Sequence, residues 1–180
     1  MSTQESAGIP RRDDTQGSRI ALPQPEEIPE RERDDAMGAY LMMFASLAIG
    51  LPIPVFNLIA SVIYFFVNRK TSPFVAFHSL QALLSHVPVV LVNAGLVGWF
   101  IAILATKSGF AGGFFWYLVF AVLLNVLYIV WSIIALIHAR KGRFYYIPFF
   151  GRLAFERFYG PGAEARRRPK EWENRPPEGL

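Results

Sequence analysis

The chain has 180 residues, of which 53% are hydrophobic and 18% charged, with a net charge of +4 and no cysteine. Disulfides, thiolate chemistry and cysteine-based metal sites are therefore excluded. Between Ala36 and Ala139 there is no Asp or Glu, and the formal charges are Arg69, Lys70 and Lys107 alone. A charge near the bilayer centre costs roughly 2.5–3.5 kcal/mol, whereas water tolerates it freely, so an acid-free stretch of this length points to a helical membrane domain and not a soluble one.

Residues 1–39 carry nine acids against five arginines. They lack the early apolar region of a signal peptide. Segments such as Ala21–Pro29 bury too little apolar surface to offset ordering entropy, so residues 1–36 are expected to form a disordered acidic tail. The membrane domain is then expected over 37–160.

The first apolar run extends from Tyr40 to Val67 and contains Gly50, Pro52 and Pro54. Proline inside a helix removes a donor and bends or breaks it. A single Pro-kinked span over about 40–67 is expected, with a hairpin of two short pieces as the alternative. Asn68–Pro73 is a polar turn. A second helix follows from Phe74 to Ala105, its span at about 78–105 and Pro88 a point of bending. Residues 106–113 are a Gly-rich connection. Trp116 and Tyr117 open the third span, at about 114–138, as interfacial aromatics.

Three spans place Arg69 and Lys70 on the same side as Arg140, Lys141 and Arg143. The positive-inside rule makes that side cytoplasmic and puts the N-terminal tail outside; four spans would return the N-terminal tail to the cytoplasm. In residues 143–159 aromatic and basic residues alternate, which predicts an interfacial amphipathic helix with Phe150, Leu153, Ala154 and Phe158 on its apolar face. Arg140, Lys141, Arg143, Tyr145 and Tyr146 are its expected interfacial anchors. Residues 161–180 are read as a disordered basic tail. A nucleic-acid partner is not expected, because the basic excess is tethered directly to an apolar span. The expected fold is thus an all-α membrane protein with three principal transmembrane helices and an interfacial C-terminal helix.

His78, Gln81 and Ser85 fall on one helix face, with His86 at its edge. Intramembrane ionisable groups are functional candidates, but hydrogen bonding to Asn57 or Asn125 on a facing helix accounts for these residues more simply. Asn57, Asn93 and Asn125 occur once per span. Ala94 and Gly98 have the spacing that permits close helix approach. The apolar domain offers no carboxylate, no nucleophilic triad and no phosphate-cradling loop, so no catalytic residue, cofactor or metal site is assigned.

Three stretches carry a family resemblance: Ile53–Tyr64, with its proline followed by Asn57; Ser72–Leu84, with His78 and Gln81; and Ile137–Phe149, running on to Leu153. Over about 37–153 the chain resembles the Tic20-like (DUF4870) family of small integral membrane proteins, which includes MamF-like magnetosome membrane proteins. Leu84 stands where that family commonly has Asn, so no role of that Asn transfers. The resemblance implies a non-enzymatic structural, assembly or organelle-organising protein of a prokaryotic inner membrane or a membrane derived from it. The expected partners are the bilayer and either a second copy or another membrane protein. Two alternatives are an oligomeric translocation or transport component, and a proton-responsive sensor or subunit of an enzyme complex.

Overall fold

The computed structural model describes residues 22–42 and 54–160. Among them five α-helices occur: α1 Glu30–Leu41, α2 Pro54–Asn68, α3 Pro73–Thr106, α4 Gly112–Arg140 and α5 Phe150–Tyr159. Helices α3 and α4 are long and apolar enough to cross a membrane, whereas α2 is a shorter apolar helix. Pro52 and the tail 161–180 lie outside the described residues, and Pro54 is the first residue of α2.

Residues 22–36 differ from the disordered tail expected there. A short 3₁₀ turn at Pro25–Glu27 is closed by the Glu27 carboxylate, which accepts from the Gln24 backbone N–H at 2.8 Å. Pro29 then leads into α1, where Glu30 and Glu32 in the first turn favour the positive end of the helix dipole. Ala36, Ala39 and Tyr40 lie at helical spacing on the inward face and are buried. Small residues meet small residues here: Ala36 joins Ala82, Ala135 and Ala139 in one cluster with Ile28, Phe74 and Ile147. Such alanines let helix backbones approach closely. The charged start of α1 conceals this apolar face from a composition argument.

The Tyr64 hydroxyl, near the end of α2, donates to the Asp35 carbonyl of α1 at 2.7 Å. Residues 35 and 64 would stand about 43 Å apart on one continuous helix. The two residues therefore do not lie on one continuous helix, and the single kinked span expected over about 40–67 is not what the described residues show. Arg140, at the end of α4, pairs with Glu30 at 3.2 Å and with Asp34. The start of α1 thus sits beside the end of α4, whereas the three-span arrangement put the two on opposite faces. The Asn68–Ser72 turn belongs to the same end, because it joins the end of α2 to the start of α3.

Ser72 caps α3, its hydroxyl accepting from the Val75 N–H at 3.2 Å, with Pro73 in the first helical position. Pro88 lies within α3, which continues to Lys107, a left-handed C-cap with φ 53°. Burial divides α3 in two: Phe74–Val90 is largely enclosed by protein, whereas most of Leu91–Thr106 is exposed. Helix α4 presents Phe115, Trp116, Phe120 and Leu123 outward, an apolar surface suited to lipid.

After α4 the chain turns at Gly142, which has φ 69°. A Cβ there would lie 3.1 Å from the Cα and carbonyl oxygen of Pro25, so the turn requires glycine both for its conformation and for close approach. Residues 143–149 are not helical, unlike the interfacial helix expected from 143. They run back along α3, with Phe144 against Phe74 and Phe77, ring centroids 5.2 Å apart in each case. Phe149, with φ 67° and ψ −55°, forms a γ-turn in which the Phe150 N–H donates to the Pro148 carbonyl at 2.8 Å. Helix α5 then packs on α3. Its buried positions are Gly151, Ala154 and Tyr159, while Leu153 is exposed. The small and aromatic residues of α5 face protein, which changes the expected apolar face.

Candidate functional site

The enclosed half of α3 carries the polar residues singled out from sequence. His78 and Gln81 are fully buried. Their partner is Tyr40 of α1, in place of the expected Asn57 or Asn125. Gln81 Nε2 donates to the Tyr40 hydroxyl at 2.8 Å, and that hydroxyl lies 2.9 Å from His78 Nδ1. Gln81 Oε1 accepts the Ile147 backbone N–H at 3.2 Å.

These bonds fix one another. A backbone N–H can only donate, so the Ile147 bond sets the Gln81 amide with oxygen toward Ile147 and nitrogen toward Tyr40. Tyr40 oxygen is then an acceptor from Gln81, and its own proton goes to His78 Nδ1. With Nδ1 accepting, the imidazole proton is assigned to Nε2, a buried nitrogen. Phe74 and Phe77 contact the imidazole edge-on at 4.6 and 4.9 Å between centroids, and Phe144 stacks on it at 6.1 Å. Gly151 closes the knot, since a Cβ there would lie 2.6 Å from Tyr146 Cα and 2.7 Å from Gln81 Oε1. One polar knot thus joins α1, α3 and the segment between α4 and α5.

Further along α3 the polar groups pair with α4. His86 Nδ1 lies 2.7 Å from the Tyr128 hydroxyl. Asn93 and Asn125 exchange amide hydrogen bonds of 3.1 and 2.8 Å, and Asn125 also donates to the Ala121 carbonyl. The Tyr117 hydroxyl donates to the Val92 carbonyl at 3.0 Å. The partners that sequence left unassigned are mostly tyrosines: Tyr40, Tyr117 and Tyr128. Their hydroxyls on otherwise apolar helices were the available signal, because a buried phenol needs a partner.

The remaining predicted positions fall elsewhere. Ser85 donates to Ala82 of its own helix, and Ser61 donates to the Asn57 carbonyl. A Cβ at Gly98 would meet nothing within 4 Å, whereas one at Gly95 would strike the Tyr117 hydroxyl, so the close approach within the chain is at Gly95. Of the expected anchors, Arg140 is held by Glu30 and Asp34, Tyr145 packs on His138 with centroids 5.0 Å apart, and Tyr146 is exposed. Lys141 and Arg143 line a groove with Pro25, Glu26, Arg33 and Arg140. Among the described residues no group of three or more His, Asp or Glu is placed to hold a metal ion.

Long lipid-suited helices, polar pairing between them and an acid-free middle define an all-helical membrane protein. Residues 33–154 match the magnetosome magnetite crystal formation protein family (MamF_MmsF), and the chain belongs to that family. The match falls on the magnetosome branch of the resemblance and does not extend to its broader Tic20-like part. No curated protein matches the chain, and no solved structure does.

Proposed function

We propose that the protein is a non-enzymatic structural component of the magnetosome membrane, organising that membrane or docking other membrane proteins while magnetite crystals form. The family match over 33–154 carries this proposal. The buried chemistry supports it. Tyr40, His78 and Gln81 are enclosed and bonded to one another, an arrangement that joins helices.

We further propose four crossings. The acid-free run beginning at Ala36 goes in and returns through α2, and α3 and α4 complete the bundle. At 15 residues α2 is short against the roughly 20 that cross a bilayer, a mismatch that local thinning accommodates. Arg69, Lys70, Arg140, Lys141 and Arg143 then share one side with α1's charged start, which the positive-inside rule makes cytoplasmic. A prokaryotic inner membrane, or one derived from it, is the natural host. A second copy or another membrane protein is the expected partner along the exposed face of α4.

Deleting the gene in a magnetosome-forming bacterium that carries it, and measuring crystals by electron microscopy, tests the role. Crystals smaller or misshapen, and restored by the wild-type gene, are the expected result. Crystals of unchanged size and shape, with the wild-type protein absent from purified magnetosomes, would overturn it.

A further inference from the structure

We infer that the groove between the 3₁₀ turn and the end of α4 is a binding site for a phosphate-type oxyanion, carried by a phospholipid headgroup or free in solution. The groove has a volume of about 390 Å³ and is lined by Pro25, Glu26, Arg33, Arg140, Lys141 and Arg143. Four of these six side chains are cationic. Arg140 is committed to Glu30 and Asp34. Arg33 Nε donates to the Ile28 carbonyl at 2.8 Å, which fixes the guanidinium and leaves its other nitrogens as donors. Lys141 and Arg143 form no ion pair with an acid among the described residues. Glu26 is the one carboxylate in the lining.

The walls are built, not incidental. Pro25 seats on Gly142, whose positive φ and close contact admit no side chain. The carbonyls at the end of α4 would repel an anion, but the turn covers those of Ile137, His138 and Ala139: Lys141 N–H donates to Ile137 and His138, Gly142 N–H to Ala139, and Arg143 N–H to His138. The Lys141 and Arg143 side chains line the groove. The groove also lies where α4 passes from an apolar run into charge, which is headgroup depth for a spanning helix, and basic pockets at that depth hold anionic headgroups. This placement rests on α4 crossing the membrane, as proposed above.

The test uses the full chain in a neutral detergent, with bound molecules counted by native mass spectrometry. The probes are phosphatidylglycerol, phosphatidylcholine and inorganic phosphate. Phosphatidylglycerol is expected to be retained in preference to phosphatidylcholine. Lys141→Gln with Arg143→Gln should weaken retention about twenty-five-fold, at about fivefold per charge. Glu26→Gln should strengthen it, and this variant leaves the groove's packing in place if the double variant fails to fold. Arg152→Gln with Arg157→Gln removes the same charge from α5 and should leave retention unchanged. Displacement of the lipid by inorganic phosphate identifies the phosphate group alone as the determinant; retention despite excess phosphate identifies the lipid headgroup. Failure of the wild-type chain to retain either anion, or equal losses in the groove and α5 variants, would overturn the site. Separately, recovery of the wild-type chain in the soluble fraction after ultracentrifugation without detergent would overturn the membrane placement.

Discussion

The Tyr64 hydroxyl bonds the Asp35 carbonyl across 29 residues, 2.7 Å apart, and this contact sets the end of α2 beside α1. Gly38 lies in the same contact, because a methyl group there would run into that hydroxyl. Together with the pairing of Arg140 to Glu30 and Asp34, it brings the start of α1, the end of α2 and the end of α4 to one end of the bundle. These exposed ion pairs add little stability by themselves. Their value is positional, since they mark which chain ends are neighbours.

Tyr40→Phe removes the acceptor of Gln81 Nε2 and the donor to His78 Nδ1 while keeping the ring. Two buried polar groups then lack partners, and a loss of about 1–3 kcal/mol is expected. Unfolding in detergent, followed by circular dichroism, measures it. His78→Leu combined with Tyr40→Phe should lose less than the two single changes added together, because neither variant partner is then left unpaired. Strict additivity would mean that the Tyr40–His78 bond carries no coupling.

The Asn93–Asn125 pair gives a similar cycle between α3 and α4. Either Asn→Leu change should cost about 0.6–1.7 kcal/mol, the range for interhelical hydrogen bonds in membranes. Asn125 retains its bond to the Ala121 carbonyl, so Asn93→Leu should be the milder of the two. Changing both to Leu should recover part of the loss. A cycle carried out by steric trapping or denaturant titration in micelles checks the sign.

Much of this arrangement was legible in the sequence, for identifiable reasons. The absence of acids between Ala36 and Ala139 located α3 and α4 to within a few residues, because lipid excludes charge wherever helices face it. His78, Gln81 and His86 stood out because few polar residues interrupt α3. Their partners did not stand out. Tyr40 reaches His78 only because α1 packs on α3, and Ile147 contributes a backbone N–H that no side-chain pattern reports. Glu30, Glu32, Asp34 and Asp35 made α1 resemble a solvated tail, although Ala36, Ala39 and Tyr40 bury its other face. In α5, Ala154 fell on the expected apolar face, but Gly151 gave no signal in a hydrophobic pattern, and both are buried.

Two glycines separate packing from permissive space. Gly151→Ala places a methyl group against Tyr146 Cα and Gln81 Oε1, and overpacking of this kind costs about 1–3 kcal/mol. Gly98→Ala meets nothing within 4 Å and improves helix propensity, so the monomer should be unchanged or up to about 1 kcal/mol more stable. Thermal unfolding of the two variants side by side checks the contrast. Equal destabilisation would mean that α5 does not sit on α3 through Gly151.

The sidedness of the chain ends tests the central claim most directly. With no native cysteine, single replacements at Glu27, Arg157 and Ser108 can be labelled in sealed membrane vesicles of known orientation with an impermeant maleimide. All three positions are exposed. Glu27→Cys and Arg157→Cys should be labelled from the same side, and Ser108→Cys from the other. Labelling of Glu27→Cys and Arg157→Cys from opposite sides would contradict the hairpin and restore an odd number of crossings.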